Sequence, residues 1–112
     1  MAKYMVLYNS DLSSSQIMAN ASPEEMKASM EEWMRWRDTA RQKAEVEFGL
    51  PLEAVGHIAP DGVSDSATTV SGYSIIEADS RDDLLEVLKS HPQLKRQGAS
   101  MDVLEMLSMP GL

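Results

Sequence analysis

The sequence contains no cysteine among its 112 residues. Disulfide bonds, thiolate nucleophiles and thiolate metal sites are therefore excluded together. Basic residues are also scarce, since 10 lysines and arginines stand against 18 aspartates and glutamates and leave a net charge of −8. A protein of this charge repels phosphate backbones and anionic lipid. We therefore expect no nucleic-acid partner and no membrane partner, and instead a small molecule or another protein.

Long hydrophobic runs and cofactor-binding motifs are missing as well. The apolar start of the chain turns polar at Asn9, too early for a signal peptide or a membrane span. Glycine-rich dinucleotide loops, Gly-Lys-Ser/Thr loops and Gly-x-Ser-x-Gly elbows do not occur in the sequence. The two histidines, His57 and His91, lie 34 positions apart, without metal-ligand spacing. The sequence thus predicts one cytoplasmic domain, residues 1–112, that uses neither a cofactor nor a metal.

One long amphipathic helix is predicted over residues 23–43. Ser22-Pro23-Glu24-Glu25 marks its start, with serine as the N-cap, proline at the first helical position and carboxylates at the positive end of the helix dipole. Six positions then share one narrow stripe: Met26, Met30, Trp33, Arg37, Ala40 and Ala44. This stripe is either a core face against a sheet or the adaptable wall of a pocket, because methionine fills irregular space.

A second helix is predicted to begin near Arg81. Ser80 followed three positions later by Asp83 resembles a capping box. Leu84, Leu88 and His91 then fall on the face of a continuous helix that packs inward, and Pro92 ends it. Residues 10–22 are instead predicted to form a loop with about one helical turn.

Four segments have the composition of β-strands: residues 3–8, 52–59, 68–78 and 101–109. The first is apolar on both faces, which predicts a central position, and the second and third are predicted to form a long hairpin around the polar loop 61–66. The order βαββαβ is that of ferredoxin-like α+β folds, in which two helices cover one face of a four-stranded antiparallel sheet. The other face would be apolar and bare, so we expect a homodimer through this sheet face.

Several short motifs follow one another along nearly the whole chain. They are Lys3-Tyr4-Met5, Ser22-Pro23-Glu24-Glu25-Met26, Gly72-Tyr73-Ser74-Ile75-Ile76-Glu77-Ala78-Asp79-Ser80 and His91-Pro92. Through these motifs the chain resembles the YCII-related family of small proteins. The resemblance implies a dimeric α+β barrel and, as suspected for its members, an enzyme with a histidine and an aspartate in a cleft. The Asp-Gly-Pro-Phe tetrapeptide of one branch of that family is absent, and residues 61–66 stand in its neighbourhood.

His91, Asp65 and Tyr73 are the candidate catalytic residues. A helix C-terminus favours the imidazolium ion whereas burial favours the neutral ring, so His91 could titrate near neutral pH and act as a general acid/base. Asp65, on the 61–66 loop, would orient His91, and Tyr73 would polarise a substrate oxygen. Each residue also has a structural interpretation: a helix cap for His91, a turn residue for Asp65 and a packed ring for Tyr73.

Trp33 and Met30 are the candidate ligand-binding residues, as the wall of a cleft. The sequence leaves three functions open. The first is a homodimer that binds a small organic molecule and catalyses cofactor-independent proton transfer or elimination. The second is a non-catalytic ligand-binding or protein-interaction module, and the third is a structural dimer without a pocket. An enzyme needs a titratable group within hydrogen-bond reach of the ligand, whereas a binding module does not.

Overall fold

The structure, a computed structural model, describes residues 1–111. Within this range the protein is an α+β fold with a four-stranded antiparallel sheet, a separate two-stranded hairpin and three α-helices. The strands are β1 (Ala2–Asn9), β2 (Ala44–Phe48), β3 (His57–Ala59), β4 (Gly62–Ser64), β5 (Val70–Ala78) and β6 (Ser100–Glu105). The helices are α1 (Ser14–Asn20), α2 (Pro23–Ala40) and α3 (Arg81–Leu88), and a short 3-10 helix spans Pro92–Lys95.

The four-stranded sheet has the spatial order β2, β5, β1, β6, and each neighbouring pair is antiparallel. This order is compatible with the predicted ferredoxin-like fold. The predicted central position of the first strand is confirmed, because β1 lies between β5 and β6. In the register, Val6 of β1 stands opposite Ser74 of β5 on one side and Val103 of β6 on the other.

The prediction of a second strand over residues 52–59 is wrong. The second strand of the sheet is β2, a segment for which the sequence predicted no strand and whose first residue, Ala44, continues the predicted helical stripe. Helix α2 stops at Ala40, three residues before the predicted end, and a tight turn leads into β2. There the segment Ala44-Glu45-Val46-Glu47-Phe48 alternates between less and more exposed side chains, as strands do. Pairing with β5 provides hydrogen-bond partners for the backbone groups of β2. This pairing outweighs the tendency of the segment to continue helix α2.

The predicted long hairpin is wrong as well. Residues 52–56 form no strand, and His57–Ala59 belongs to the small hairpin of β3 and β4. This hairpin closes between Ala59 and Gly62, and Gly62 adopts a positive φ of 136°. The predicted polar loop 61–66 therefore begins as the turn and second strand of a separate two-stranded sheet.

Helix starts follow the serine patterns of the sequence. The Ser22 hydroxyl accepts a hydrogen bond from the Glu25 amide at 3.1 Å, and Ser80 accepts one from the Asp83 amide at 3.1 Å. Ser13 forms a third cap of this kind, with Gln16, and begins α1. The predicted loop over residues 10–22 thus contains a helix of two turns.

The core lies between the central strands and the inward faces of α2 and α3. Alternate residues of β1 are buried, Tyr4, Val6 and Tyr8, together with Ile76 of β5. The helices add Trp36, Ala40, Leu84 and Leu88 to this buried cluster. The Trp36 indole nitrogen donates a hydrogen bond to the Val87 carbonyl oxygen at 3.0 Å, which joins α2 to the end of α3. No helix within residues 1–111 is long and apolar enough to cross a membrane.

Candidate functional site

A cleft of about 530 Å³ opens where α1 and α2 face the ends of β2 and β5. Most of its lining is apolar. Helix α2 contributes Trp33 and methionines, α1 contributes Met18, and the segment from Phe48 to Pro51 closes the opposite side. A volume of this size lies within the range of small-molecule sites, which are concave and mostly apolar.

Four methionines line this cleft: Met18, Met26, Met30 and Met34. We call them the cleft methionines. Three of them stand at i, i+4 and i+8 of α2, which places them on one face of the helix. Their exposed fractions lie between 41% and 58%, so their thioethers form an accessible wall and are not part of the core. Thioether side chains are polarizable and adapt to ligands of different shape.

His91 lies behind the cleft and is 1% exposed. Its ring packs among three aromatic rings, with centroid distances of 5.1 Å to Tyr8, 4.6 Å to Trp33 and 4.2 Å to Trp36. Burial lowers the pKa of His91 to about 4. The ring is therefore neutral at pH 7. It does not occur on the inward face of a longer α3, since that helix ends at Leu88 and His91 instead caps the 3-10 helix.

The hydrogen bonds of His91 fix its tautomer. The Gln93 amide donates to Nδ1 at 2.9 Å, so the ring proton of the neutral imidazole is on Nε2. Nε2 then donates to the Tyr8 hydroxyl oxygen at 3.0 Å, and the Tyr8 hydroxyl donates to Ser74 Oγ at 2.6 Å. Burial raises the pKa of Tyr8 to about 12, although the hydrogen bond with Ser74 opposes the rise. The chain of bonds from Gln93 to Ser74 is thus uncharged at neutral pH.

The structure brings three of the five predicted site residues to the cleft. Trp33, Met30 and Tyr73 all line it. The ring of Tyr73 lies directly over Gly49, in space that any larger side chain at position 49 would need. Their roles in binding a ligand remain predictions.

His91 and Asp65 are not brought together. Asp65 is exposed, just after β4, and does not line the cleft. Both ring nitrogens of His91 are already engaged, by Tyr8 and by Gln93. Asp65 therefore does not orient His91 in this structure. The second imidazole, His57, is exposed in the β3–β4 hairpin.

Several residues of this site have no signal in the sequence. Tyr8 reads as an ordinary strand residue, yet it lines the cleft and forms hydrogen bonds with both Ser74 and His91. Two charged side chains, Glu25 and Arg96, lie at the lining of the cleft. Arg96 is far from α2 in sequence, so only the tertiary fold places the two charges on one site. Within residues 1–111, no group of three or more histidines, aspartates or glutamates is placed to hold a metal ion.

Comparison with known proteins gives no match, either to the models of protein families or to any curated protein.

Proposed function

We propose that the protein binds a small apolar molecule in the cleft and acts without catalysing a reaction. The observation that carries this proposal is the accessible wall of four methionines beside Trp33 in a cleft of about 530 Å³. Exposed thioethers that share one concave surface are typical of sites that accept apolar ligands of variable shape. Glu25 and Arg96 supply polar contacts at the lining.

The acid/base enzyme is the alternative, and the state of His91 argues against it. A general base at pH 7 needs a pKa near 7 and a free nitrogen within hydrogen-bond reach of the ligand. Burial holds the pKa of His91 near 4, and both of its ring nitrogens have partners. Tyr8, which does reach the cleft, has a pKa raised to about 12. We therefore regard the hydrogen bonds from Gln93 through His91 and Tyr8 to Ser74 as a rigid support for the floor of the cleft, where Tyr8 and Gln93 line it.

We further propose a cytoplasmic homodimer of YCII-related type, in which two ferredoxin-like sheets pair as a dimeric α+β barrel. Alternation along β1 supports this proposal. Tyr4, Val6 and Tyr8 are buried in the core, which favours two helices on that face, whereas Met5 and Leu7 on the other face are only partly covered. The register places Leu104 of β6 beside Met5, so the uncovered face is apolar across neighbouring strands. A second copy of the chain would bury it.

Binding is tested with N-phenyl-1-naphthylamine, a neutral aromatic probe whose fluorescence rises in apolar surroundings. We expect saturable binding and energy transfer from tryptophan. Met30→Lys, which brings a charge into the cleft wall, should weaken binding by about tenfold or more. An apolar ligand that covers the ammonium group would remove its hydrating water, which is unfavourable. Met109→Lys is the control, since Met109 is 64% exposed and does not line the cleft. The absence of saturable binding to the wild-type protein, or equal affinity of the two variants, would contradict the proposal.

A further inference from the structure

The cleft methionines are reactive as well as apolar. The chain has nine methionines and no cysteine, so all of its sulfur is in thioethers. A thioether reacts with peroxide to give a sulfoxide when the sulfur is accessible. Met18, Met26, Met30 and Met34 are 45%, 41%, 58% and 44% exposed, and all four line one cleft.

We propose that the four cleft methionines form an oxidation site, through which hydrogen peroxide lowers the affinity of the cleft for apolar ligands. This inference rests on the proposed function, because it needs an apolar ligand that the reduced cleft binds. The thioether sulfur attacks one peroxide oxygen, the O–O bond breaks, an S–O bond forms and water leaves. The sulfur loses two electrons and the peroxide gains them. Methionine sulfoxide reductases reverse the change at the expense of a thiol.

Oxidation would weaken ligand binding because the sulfurs lie on the wall that an apolar ligand contacts. A sulfoxide oxygen is a strong hydrogen-bond acceptor, and water satisfies it while the cleft is empty. An apolar ligand would displace that water and leave the oxygen without a donor, since the surrounding lining is mainly apolar. Three of the four sulfurs stand on successive turns of α2, so oxidation would make one continuous wall of the cleft polar.

Two other methionines serve as internal controls within the same chain. Met106 is 45% exposed and Met109 is 64% exposed, so both are as accessible as the cleft methionines, but neither lines the cleft. Exposure alone therefore predicts oxidation of both sets. Protection by a ligand predicts a difference between them, because a molecule in the cleft covers only the cleft methionines.

The test measures oxidation and binding on the same full-length protein. Peptide mass spectrometry follows the uptake of oxygen at each methionine in dilute hydrogen peroxide, with and without N-phenyl-1-naphthylamine. We expect the probe to slow oxidation at Met18, Met26, Met30 and Met34 and to leave the rates at Met106 and Met109 unchanged. After oxidation, with far-UV circular dichroism unchanged, the affinity for the probe should fall by about tenfold or more. A methionine sulfoxide reductase with dithiothreitol should restore it.

A variant in which leucine replaces all four cleft methionines supplies the converse test. Leucine has a similar volume and cannot be oxidised, so whatever affinity this variant has for the probe before peroxide treatment should be unchanged after it. If it does not fold, Met30→Leu and Met34→Leu singly should each reduce the loss of affinity on oxidation.

The outcomes separate the two proposals. Absence of probe binding to the untreated wild-type protein overturns the proposed function and this inference with it. Equal affinity before and after oxidation overturns the inference alone, as does equal protection of Met106 and Met109. Loss of binding after peroxide in the leucine variant overturns it too, because another residue would then be responsible.

Discussion

At the scale of single residues, His91 shows how the environment decides the chemistry of a side chain. Its place near a helix end predicted a ring that titrates near neutral pH. In the structure the ring is enclosed by Tyr8, Trp33 and Trp36, and desolvation dominates. The Gln93 amide also donates to Nδ1, which stabilises the neutral ring further. His91 is thus an uncharged residue that forms hydrogen bonds with Tyr8 and Gln93, two residues that line the cleft.

The depressed pKa of His91 predicts a dependence of stability on pH. The unfolded chain takes up a proton below about pH 6.5, whereas the folded chain does so only below about pH 4. Between these values the unfolded state binds more protons, so the free energy of unfolding falls as the pH falls. Above about pH 6.5 His91 causes no such loss. At pH 4 and below, the free energy of unfolding is lower by about 3 kcal/mol. Urea denaturation at a series of pH values measures it.

Aspartates and glutamates also take up protons at low pH. Two variants separate the effect of His91 on the pH dependence of stability from the effect of these carboxylates. His91→Gln should flatten the pH dependence between pH 4 and 6.5, whereas His57→Gln should leave it as in the wild type, because His57 is exposed. NMR titration of the wild-type protein measures the same quantity without a substitution. A His91 ring that titrates near pH 6.5 in the folded protein would refute the prediction.

At the scale of elements, the contact between Gly49 and Tyr73 holds the end of β2 against β5. The Gly49 amide donates to the Tyr73 carbonyl oxygen at 2.9 Å, and the Tyr73 ring covers the Gly49 α-carbon. A β-carbon at position 49 would overlap that ring. This close approach also shapes the cleft, since both residues line it.

Gly49→Ala should therefore destabilise the protein by about 1–3 kcal/mol, the usual cost of overpacking. Denaturation in urea gives the change in free energy of unfolding. In the background of Tyr73→Ala the same substitution should cost much less, because the obstructing ring is gone. Gly56→Ala is the matched control: its added β-carbon would meet its nearest neighbour, the Ser64 carbonyl oxygen, at 3.9 Å, so we expect a change within about 0.5 kcal/mol. Equal stability of the Gly49 and Gly56 variants would contradict the prediction, because it would show that the Tyr73 ring moves aside without loss of free energy of unfolding.

The elements also show which parts of the fold the sequence could predict. The starts of α2 and α3 and the strands β1 and β5 were predictable because they depend on local signals, the serine caps and the β-branched or aromatic composition. Helix α1 was missed, although Ser13 caps it in the same way. Strand β2 was not predictable, since Ala44 at its start continues the helical stripe of α2, and only pairing with β5 selects the extended form. The hairpin of β3 and β4 was missed because each strand has three residues, too few for a periodic pattern.

At the scale of the whole molecule, the shape is less compact than expected for its length. The Cα radius of gyration is 15.6 Å, compared with about 13 Å for a typical globular chain of this size. Apolar side chains near the β3–β4 hairpin stand in solvent, among them Val55 at 98% exposure and Ile58 at 80%. This apolar surface is a further ground for the proposed homodimer, beside the partly covered side chains of Met5 and Leu7.

The proposed homodimer predicts the effect of a charge on the sheet face. Leu104 lies on that face and is 50% exposed. Leu104→Lys should weaken dimerisation by about tenfold or more, because the two-fold symmetry brings the new ammonium group into both halves of one apolar interface. Sedimentation velocity over a range of concentrations measures the association. Leu12→Lys, a similar change at a residue of 45% exposure outside the sheet, should remain dimeric.

A wild-type protein that sediments as a single subunit at high concentration would disprove the dimer and leave the cleft proposal intact. The probe titration tests the cleft of the single subunit directly, whatever sedimentation shows about association. The two experiments are therefore independent.

The sequence by itself determined the starts of α2 and α3, the central strands and the methionine stripe of α2, because each of these depends on neighbours within a few residues. Only the tertiary structure decided what those residues do. It joins His91 to Tyr8 across 83 positions, encloses the ring and removes its charge, and it opens the methionine stripe to a cleft instead of burying it in the core. The physical reason is that desolvation and concavity depend on which distant segments meet, and no local pattern encodes that.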